Sequence, residues 1–407
     1  MEWKTVPLQS LCNDFKQDIV DGPFGSELQR KDYITDGVPV LKIQNVHPFE
    51  IELKKMDYVS AEKFAELRRH SFRRGDIVMT KLGSPLGVSA VIEELDEGMI
   101  VADLVRIRAQ QVNTRYLCYH LNSSATSDYI NSMQKGTTRP RVTLSVVRQL
   151  PIAVPSLPEQ RRIVAILDEA FEGIATAKAN SEKNLRNARE LFKAQLEQVF
   201  SEPSQSWRRV ALESVGTTQT GSTPKTSEPE NLGDYMPFVK PGDFNRDGSI
   251  TFDNEGLSES GAKKARLVKP NSALMVCIGA TIGKAGFSER EIATNQQINA
   301  WTPTAEVSAK FVYYQMTTAD FLRRVRLSAG QATLPIINKS KWSALTVVVP
   351  PTLDEQHKIV AHLEAVLAES MNLEAVLERK LKALDELKKS LLYQAFTGQL
   401  GKAITLS

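Results

Sequence analysis

The sequence has little of what most readily identifies a function. Only three of its 407 residues are cysteine, Cys12, Cys118 and Cys277, far apart from one another. Such singletons exclude a disulfide scaffold and a Cys-x-x-Cys zinc site, and they fit a reducing, cytoplasmic setting. The five histidines form no H-E-x-x-H pair, so that route to a metal hydrolase is closed as well. No apolar run reaches the roughly 18 residues that a membrane span needs. The opening MEWKTVPLQS lacks the basic-then-apolar pattern of a signal peptide. Charge of one sign is also missing, with 51 Lys+Arg against 48 Asp+Glu and a net charge of +3. Any attraction to nucleic acid must therefore be local. Hydrophobic and charged contents of 42% and 24% describe a soluble globular chain, and its length points to two or three domains.

What the chain does have is an internal repeat. Residues Pro155 to Val164 read PSLPEQRRIV, and residues Pro351 to Val360 read PTLDEQHKIV. Pro155/Pro351, Leu157/Leu353, Glu159/Glu355, Gln160/Gln356, Ile163/Ile359 and Val164/Val360 coincide at an offset of 196. The register then holds without a gap through Leu167/Leu363, Leu185/Leu381, Leu191/Leu387 and Phe200/Phe396. Upstream the match is weaker but ordered: Trp3 to Leu8 against Trp207 to Leu212, Pro39 to Lys42 against Pro237 to Lys240, and Gly136 to Pro140 against Gly330 to Pro335. A repeat of this length decides the architecture before any local motif does. Here it is variable domain, helix, variable domain, helix.

The proline clusters at 151–158 and 350–351 end each domain. A helix is predicted from about Glu159 and again from about Glu355, each with acid at the favourable N-terminal end. Ile163, Leu167, Ala170, Ile174 and Ala177 step by four and three. Ile359, Leu363, Val366, Ser370, Leu373 and Leu377 repeat that stepping, the seam of a coiled coil. Two matched seams in one chain favour pairing with each other. The expected boundaries are a domain at 1–158, a helix at 159–200, a domain at 201–353, and a helix with tail at 354–407. Within the domains, strand-like runs (Val38 to Val46, Asp76 to Thr80, Leu274 to Ile278, Leu345 to Val349) mix with a helical stretch from Thr114 to Met133. The fold class is α+β.

Catalytic motifs are weak. Gly279 to Ala285 resembles a phosphate loop but has three residues between its glycines, with Ala285 where Ser or Thr would hold magnesium. A strand followed by a tight glycine turn fits it better, and Val78 to Gly87 has the same form. Glu52-Leu53-Lys54 lacks the upstream acid of a nuclease site. No G-x-G-x-x-G and no Ser/His/Asp constellation is recognisable. Basic charge, by contrast, is concentrated. From Arg106 to Arg148 seven basic residues face one acid, and from Lys310 to Lys341 six face one. Phosphate contacts dominate DNA interfaces, while Arg, Asn and Gln read base edges. The candidate DNA-binding set is therefore Lys42, Gln44, Asn45, Lys81, Ser84, Arg106, Arg108, Lys135, Thr137, Thr138, Arg139 and Arg141 in the first half. In the second half it is Lys240, Asp243, Asn245, Lys284, Arg323, Arg324, Arg326, Gln331 and Thr333.

Two divergent domains, each closed by a Pro-x-Leu-x-Glu-Gln box and a long helix, resemble the specificity subunit of type I restriction–modification enzymes. The segments Gly22 to Ser26, Val38 to Asn45, Gly221 to Pro224, Pro237 to Asp243 and Leu391 to Leu400 are similar to that family too. The resemblance covers essentially the whole chain. It implies two target-recognition domains separated by long helices that pair as an antiparallel coiled coil, with an internal pseudo-two-fold repeat. It further implies that each domain reads half of a split site on double-stranded DNA. The expected partners are two methylation subunits, carrying S-adenosylmethionine, and two restriction subunits, using ATP and magnesium. This chain itself would bind no cofactor or metal and catalyse nothing. A DNA-binding partner of a methyltransferase without restriction subunits is the alternative. A standalone enzyme and a scaffold that binds no DNA are the competing classes.

Overall fold

A computed structural model describes residues 3–400 of the chain, apart from 137–139, 226, 246 and 331–333. The chain divides into two compact units, Met1–Ser181 with Arg379–Ser407, and Glu182–Glu378.

The first unit is built on a four-stranded antiparallel sheet in the order Ser89–Val91, Ile77–Thr80, Leu104–Ile107, Ile19–Asp21. Ile77–Thr80 is buried along its whole length. Ile77 and Met79 join the main core, whereas Val78 points into a second cluster with Leu41, Ile92 and Ile100. Side chains alternate faces along a strand, so a continuous apolar run marks a sheet covered on both sides. The covering sheet has the order Tyr33–Ile34, Asp57–Val59, Val38–Leu41, Glu97–Ile100, Ser71–Arg73, with Val38–Leu41 and Glu97–Ile100 parallel. A two-stranded ribbon joins Lys4–Pro7 to Pro151–Val154.

The second unit uses the same plan with other residues. Its four-stranded sheet runs Gly216–Thr220, Ile298–Pro303, Ser272–Val276, Ala285–Ser288. Ala273 and Met275 face the main core, and Leu274 and Val276 face the second cluster. The covering sheet again holds a parallel pair, Leu232–Val239 with Ile292–Thr294, and Arg208–Ala211 pairs with Thr346–Val349.

Two expectations are corrected. Thr114 to Met133 is two helices, Thr114–Leu121 and Ser124–Met133, because the Ser123 hydroxyl caps the second by accepting from the Thr126 N–H. Thr318 does the same between Ala309–Met316 and Ala319–Ala329. The strand at Val38 ends at Leu41, where Asn45 folds the chain into a short turn by accepting from the Lys42 N–H.

The long helices span Leu157–Ser201 and Leu353–Phe396 and pack together. Within the first unit Lys388 stacks over Phe171, and Lys178 meets Asp385 at 2.6 Å. Rising numbers on one helix thus meet falling numbers on the other. In the second unit Arg189 reaches Glu374 and Glu378, both at 2.9 Å, and the Ser370 hydroxyl donates to the Ala188 carbonyl at 2.6 Å. The pairing is antiparallel. Ile163, Leu167, Ile174, Leu363, Ser370 and Leu377 are buried, and Ala170, Ala177, Ile359 and Val366 are half-buried. Leu373 is not in the seam: it is 41% exposed. The stripe passes from Ser370 through half-buried Glu374 to Leu377, and one residue of offset turns Leu373 about 100° away.

The Gln of each Pro-x-Leu-x-Glu-Gln box is buried, 1% exposed in both cases. Gln160 accepts from the Asn113 N–H at 2.8 Å and donates to the Pro155 carbonyl at 2.8 Å. Gln356 accepts from the Ser308 N–H at 2.8 Å and donates to the Pro350 carbonyl at 3.3 Å. Asn113 and Ser308 are the N-caps of the helices Thr114–Leu121 and Ala309–Met316. One amide therefore fastens the first turn of each long helix to its domain. Gln160→Ala strands a half-buried N–H and Gln356→Ala a buried one. They are expected to cost about 1–3 kcal/mol, read as faster amide exchange at Asn113 or Ser308 and a lower urea midpoint.

A second pair differs usefully. His120, 4% exposed, accepts from the Ala153 N–H at 3.1 Å. Its counterpart Gln315 accepts from the Val348 N–H at 2.6 Å and donates to the Val348 carbonyl at 2.9 Å. Burial pushes the imidazole down from 6.5 to about 4, so the neutral form is the folded one. That contribution is full above pH 6.5 and is lost as pH falls towards 4, by on the order of 3 kcal/mol. Hydrogen exchange should show the first unit loosening below pH 6 ahead of the second, and His120→Gln should remove the difference.

Candidate nucleic-acid interface

The structure sorts the basic residues into those with internal duties and those facing outward. Arg106 is 3% exposed and donates to the Gln17 carbonyl; burial, and then the neighbouring Arg108, lower its pKa to about 10. Arg108 makes a bidentate pair with Asp76, both bonds 2.7 Å, and Asp76 is 1% exposed. Arg148 donates to the Ile19 carbonyl, and Arg115 meets Asp168 at 3.1 Å. In the second unit Lys310 lies between Glu364 and Glu289, and Arg324 holds Asp320 and the Thr346 carbonyl. Arg108, Arg115 and Lys310 are thus met by acids outside their own basic stretches, while Arg106 and Arg148 are held by backbone carbonyls. Arg106, Arg108 and Arg324 are framework residues rather than readers.

Other predicted residues also turn inward. Asn45, 2% exposed, accepts from the Lys42 N–H and donates to the Glu52 carbonyl. Asp243, 7% exposed, accepts from the Lys240 N–H and from the Asn254 side chain. Both shape equivalent turns. Lys42 pairs with Asp57 at 2.6 Å and Lys240 with Glu255. Lys81 pairs with Asp21 at 2.6 Å, while exposed Lys284 donates to the Phe244 carbonyl. Asn245 is exposed but bonded to Ser249 and Thr251.

Outward-facing are Gln44, Ser84, Lys135, Arg141 and Arg326, together with Arg323, whose guanidinium also meets Asp320 at 2.6 Å. Arg323, Arg326 and Lys193, the last absent from the predicted set, line one cleft of about 610 Å³. Thr137, Thr138, Arg139, Gln331 and Thr333 lie outside the described residues. Lys135 and Arg141 are paired through their backbones, flanking 137–139.

The glycine turns occupy the same place in both units. Gly83 (φ +98°) and Gly279 (φ +100°) open the connections between paired strands. These are left-handed positions that side chains rarely adopt. Gly87 donates to the Thr80 carbonyl at 2.9 Å and Gly283 to Val276 at 2.8 Å. Gly279 to Gly283 therefore closes a hairpin, not the strand-to-helix turn of a nucleotide loop. Against each hairpin lies a short extended segment, 140–142 or 335–337. There the sequence reading missed Leu334 and Ile336, exposed at 55% and 47%. Their apolar character hid them in a search for charge, although the alignment of Pro140 with Pro335 marked the place.

The three cysteines are buried, and burial pushes each thiol up to about 12, so none is poised as a thiolate. Among the described residues no helix is long and apolar enough to cross a membrane.

Removing Arg108 leaves the buried Asp76 with only Arg73, whose N–H lies at 2.9 Å and whose guanidinium at 4.0 Å, so Arg108→Ala is expected to cost about 3 kcal/mol in urea unfolding. Arg141→Ala and Arg326→Ala, at the surface, should stay within about 0.5 kcal/mol of the parent.

Comparison with known proteins agrees with this layout. Residues 90–185 and 204–383 match the family model described as type I restriction modification DNA specificity domain. The chain is 29% identical over 201 residues to the type I restriction enzyme HindI specificity subunit of Haemophilus influenzae, spanning 48% of this chain and 42% of that protein. It is 21% identical to the putative MjaX specificity subunit of Methanocaldococcus jannaschii, spanning 91% of this chain and 89% of that one. Over nearly its whole length it superposes on the HsdS subunit from Thermoanaerobacter tengcongensis, with a TM-score of 0.65, 19% identity, and 98% and 97% of the two chains covered. A chain from a study of assembly and conformational transition in a type I R-M system gives a TM-score of 0.76 at 21% identity, with 98% of each chain covered.

Proposed function

The chain belongs to the family of type I restriction–modification DNA specificity domains, and from that premise we propose that it is the sequence-reading subunit of such a complex. The observation that carries this is the contrast within the repeat. The two units share strand order, glycine hairpins and buried glutamines, yet their exposed residues at matched positions differ. A common frame presenting unlike surfaces suits one chain that reads two different half-sites.

Each unit binds one half of a bipartite site on double-stranded DNA, and the base pairs between go unread. The outward cations Lys135, Arg323 and Arg326 supply phosphate contacts, and base readout falls to the loops and segments around the hairpins. Chemistry resides in the partners. Two methylation subunits bring S-adenosylmethionine, and two restriction subunits bring ATP- and magnesium-dependent cleavage. The pairing of the long helices sets the length of the unread spacer.

Two measurements test this. Filter binding across salt should show affinity falling steeply, log K against log salt having a slope near −0.9 per phosphate contacted. A flat response returns the chain to the class of scaffolds. Deleting one heptad from both helices removes about 10 Å of helix, or roughly three base pairs of rise. Mapping methylated adenines in a host carrying all subunits should then show the spacer changed and both half-sites kept. An unchanged spacer would count against the helices as the ruler.

A further inference from the structure

The two units carry one device with unlike tips. The N–H of Gly83 donates to the Pro140 carbonyl at 2.9 Å, and that of Gly279 to the Pro335 carbonyl at 3.0 Å. Two residues past each proline the bond is returned: Val142 N–H to Lys81, and Ile337 N–H to Cys277, both 3.0 Å. A single residue sits between these anchors, Arg141 or Ile336, bridging to Leu82 or Ile278. Both are exposed, whereas the residue that follows is buried, Val142 at 4% and Ile337 at 1%. Backbone bonds on both sides fix the position, so residues 141 and 336 are the same point of the same frame.

What stands at that point differs in chemistry. The first unit presents a guanidinium. The second presents isoleucine, with exposed Leu334 at the bend just before the segment and exposed Arg326 and Lys339 in the flanking helices. A surface with apolar side chains at its tip and cations at its margin matches a duplex groove, with phosphates at the rim and one apolar group on the base edges. In the major groove that group is the C5 methyl of thymine, whereas arginine matches the O6 and N7 of guanine. We propose that Ile336, with Leu334, packs against a thymine methyl in the half-site of the second unit, and that Arg141 takes a guanine edge at the equivalent step of the first. This rests on the reading of the chain as a DNA specificity subunit.

The test uses the full chain assembled with its methylation subunits and duplexes carrying the mapped site. Each thymine is replaced in turn by deoxyuridine, which removes only the methyl. One replacement, in one half-site, is expected to weaken binding about fourfold, the value of one buried methyl. Ile336→Ala should weaken the unmodified site by a similar or larger factor and erase the sensitivity to deoxyuridine. Arg141→Ala should leave that sensitivity intact, and Ile336→Arg should move the preferred pair at that step towards guanine. The idea is overturned by a half-site without thymine, or by uniform tolerance of deoxyuridine. It is equally overturned by a deoxyuridine effect that persists in Ile336→Ala, or by loss of the methylation subunits from Ile336→Ala on gel filtration, which would make the apolar tip a protein contact. Absence of any site-specific binding by the parent complex would instead sink the specificity-subunit reading, and this inference with it.

Discussion

Gln160 and Gln356 use both faces of a buried amide on backbone groups, and the rest of each unit is arranged around that bond. A primary amide away from water is tolerated only when donor and acceptor are both satisfied. Here the acceptor takes the first N–H of a domain helix and the donor takes a carbonyl just ahead of a long helix. The entry of the long helix is thereby tied to the helix that covers the four-stranded sheet. That sheet in turn places the glycine hairpin, and the hairpin holds the segment carrying Arg141 or Ile336. Few side chains do two tasks in this scheme. Framework arginines are buried against carbonyls or paired with acids, and the residues free to meet a ligand lie at hairpin edges and helix surfaces.

The division explains how far the sequence was legible. The long helices could be read because their seam repeats at fixed spacing and because a gapless register at an offset of 196, held from Pro155 to Phe200, leaves few alternatives. The one seam residue misplaced, Leu373, failed for a local reason. Glu374 takes the seam position with its carboxylate turned towards Arg189, so hydrophobicity alone pointed to the wrong neighbour. The α+β class was legible from mixed runs, but the strand order was not, since pairing between Ile77–Thr80 and Leu104–Ile107 depends on segments with no local signature.

The site was less legible than the fold. Counting charge treated every arginine alike, yet Arg106 and Arg141 differ completely in surroundings: one is nearly sealed and bonded to a carbonyl, the other is exposed. Asn45 and Asp243 looked like base readers because of their amide and carboxylate, but each closes its own turn. The sequence could not distinguish a polar group aimed at the backbone from one aimed outward. Ile336 failed in the opposite sense, since an isoleucine beside a proline suggests core until its exposure is known.

The order of the chain adds a consequence for synthesis. The second unit is one continuous stretch, 182–378, while the first needs both the early residues and the segment from Arg379 onward. Leu392 and Ala395 belong to the first unit's main core, and Phe396 stacks on Tyr116 and His120. Domains emerging from the ribosome generally fold as units, N-terminal part first. In this chain the second unit is complete before the first, which waits with an open apolar face until the last helix is made.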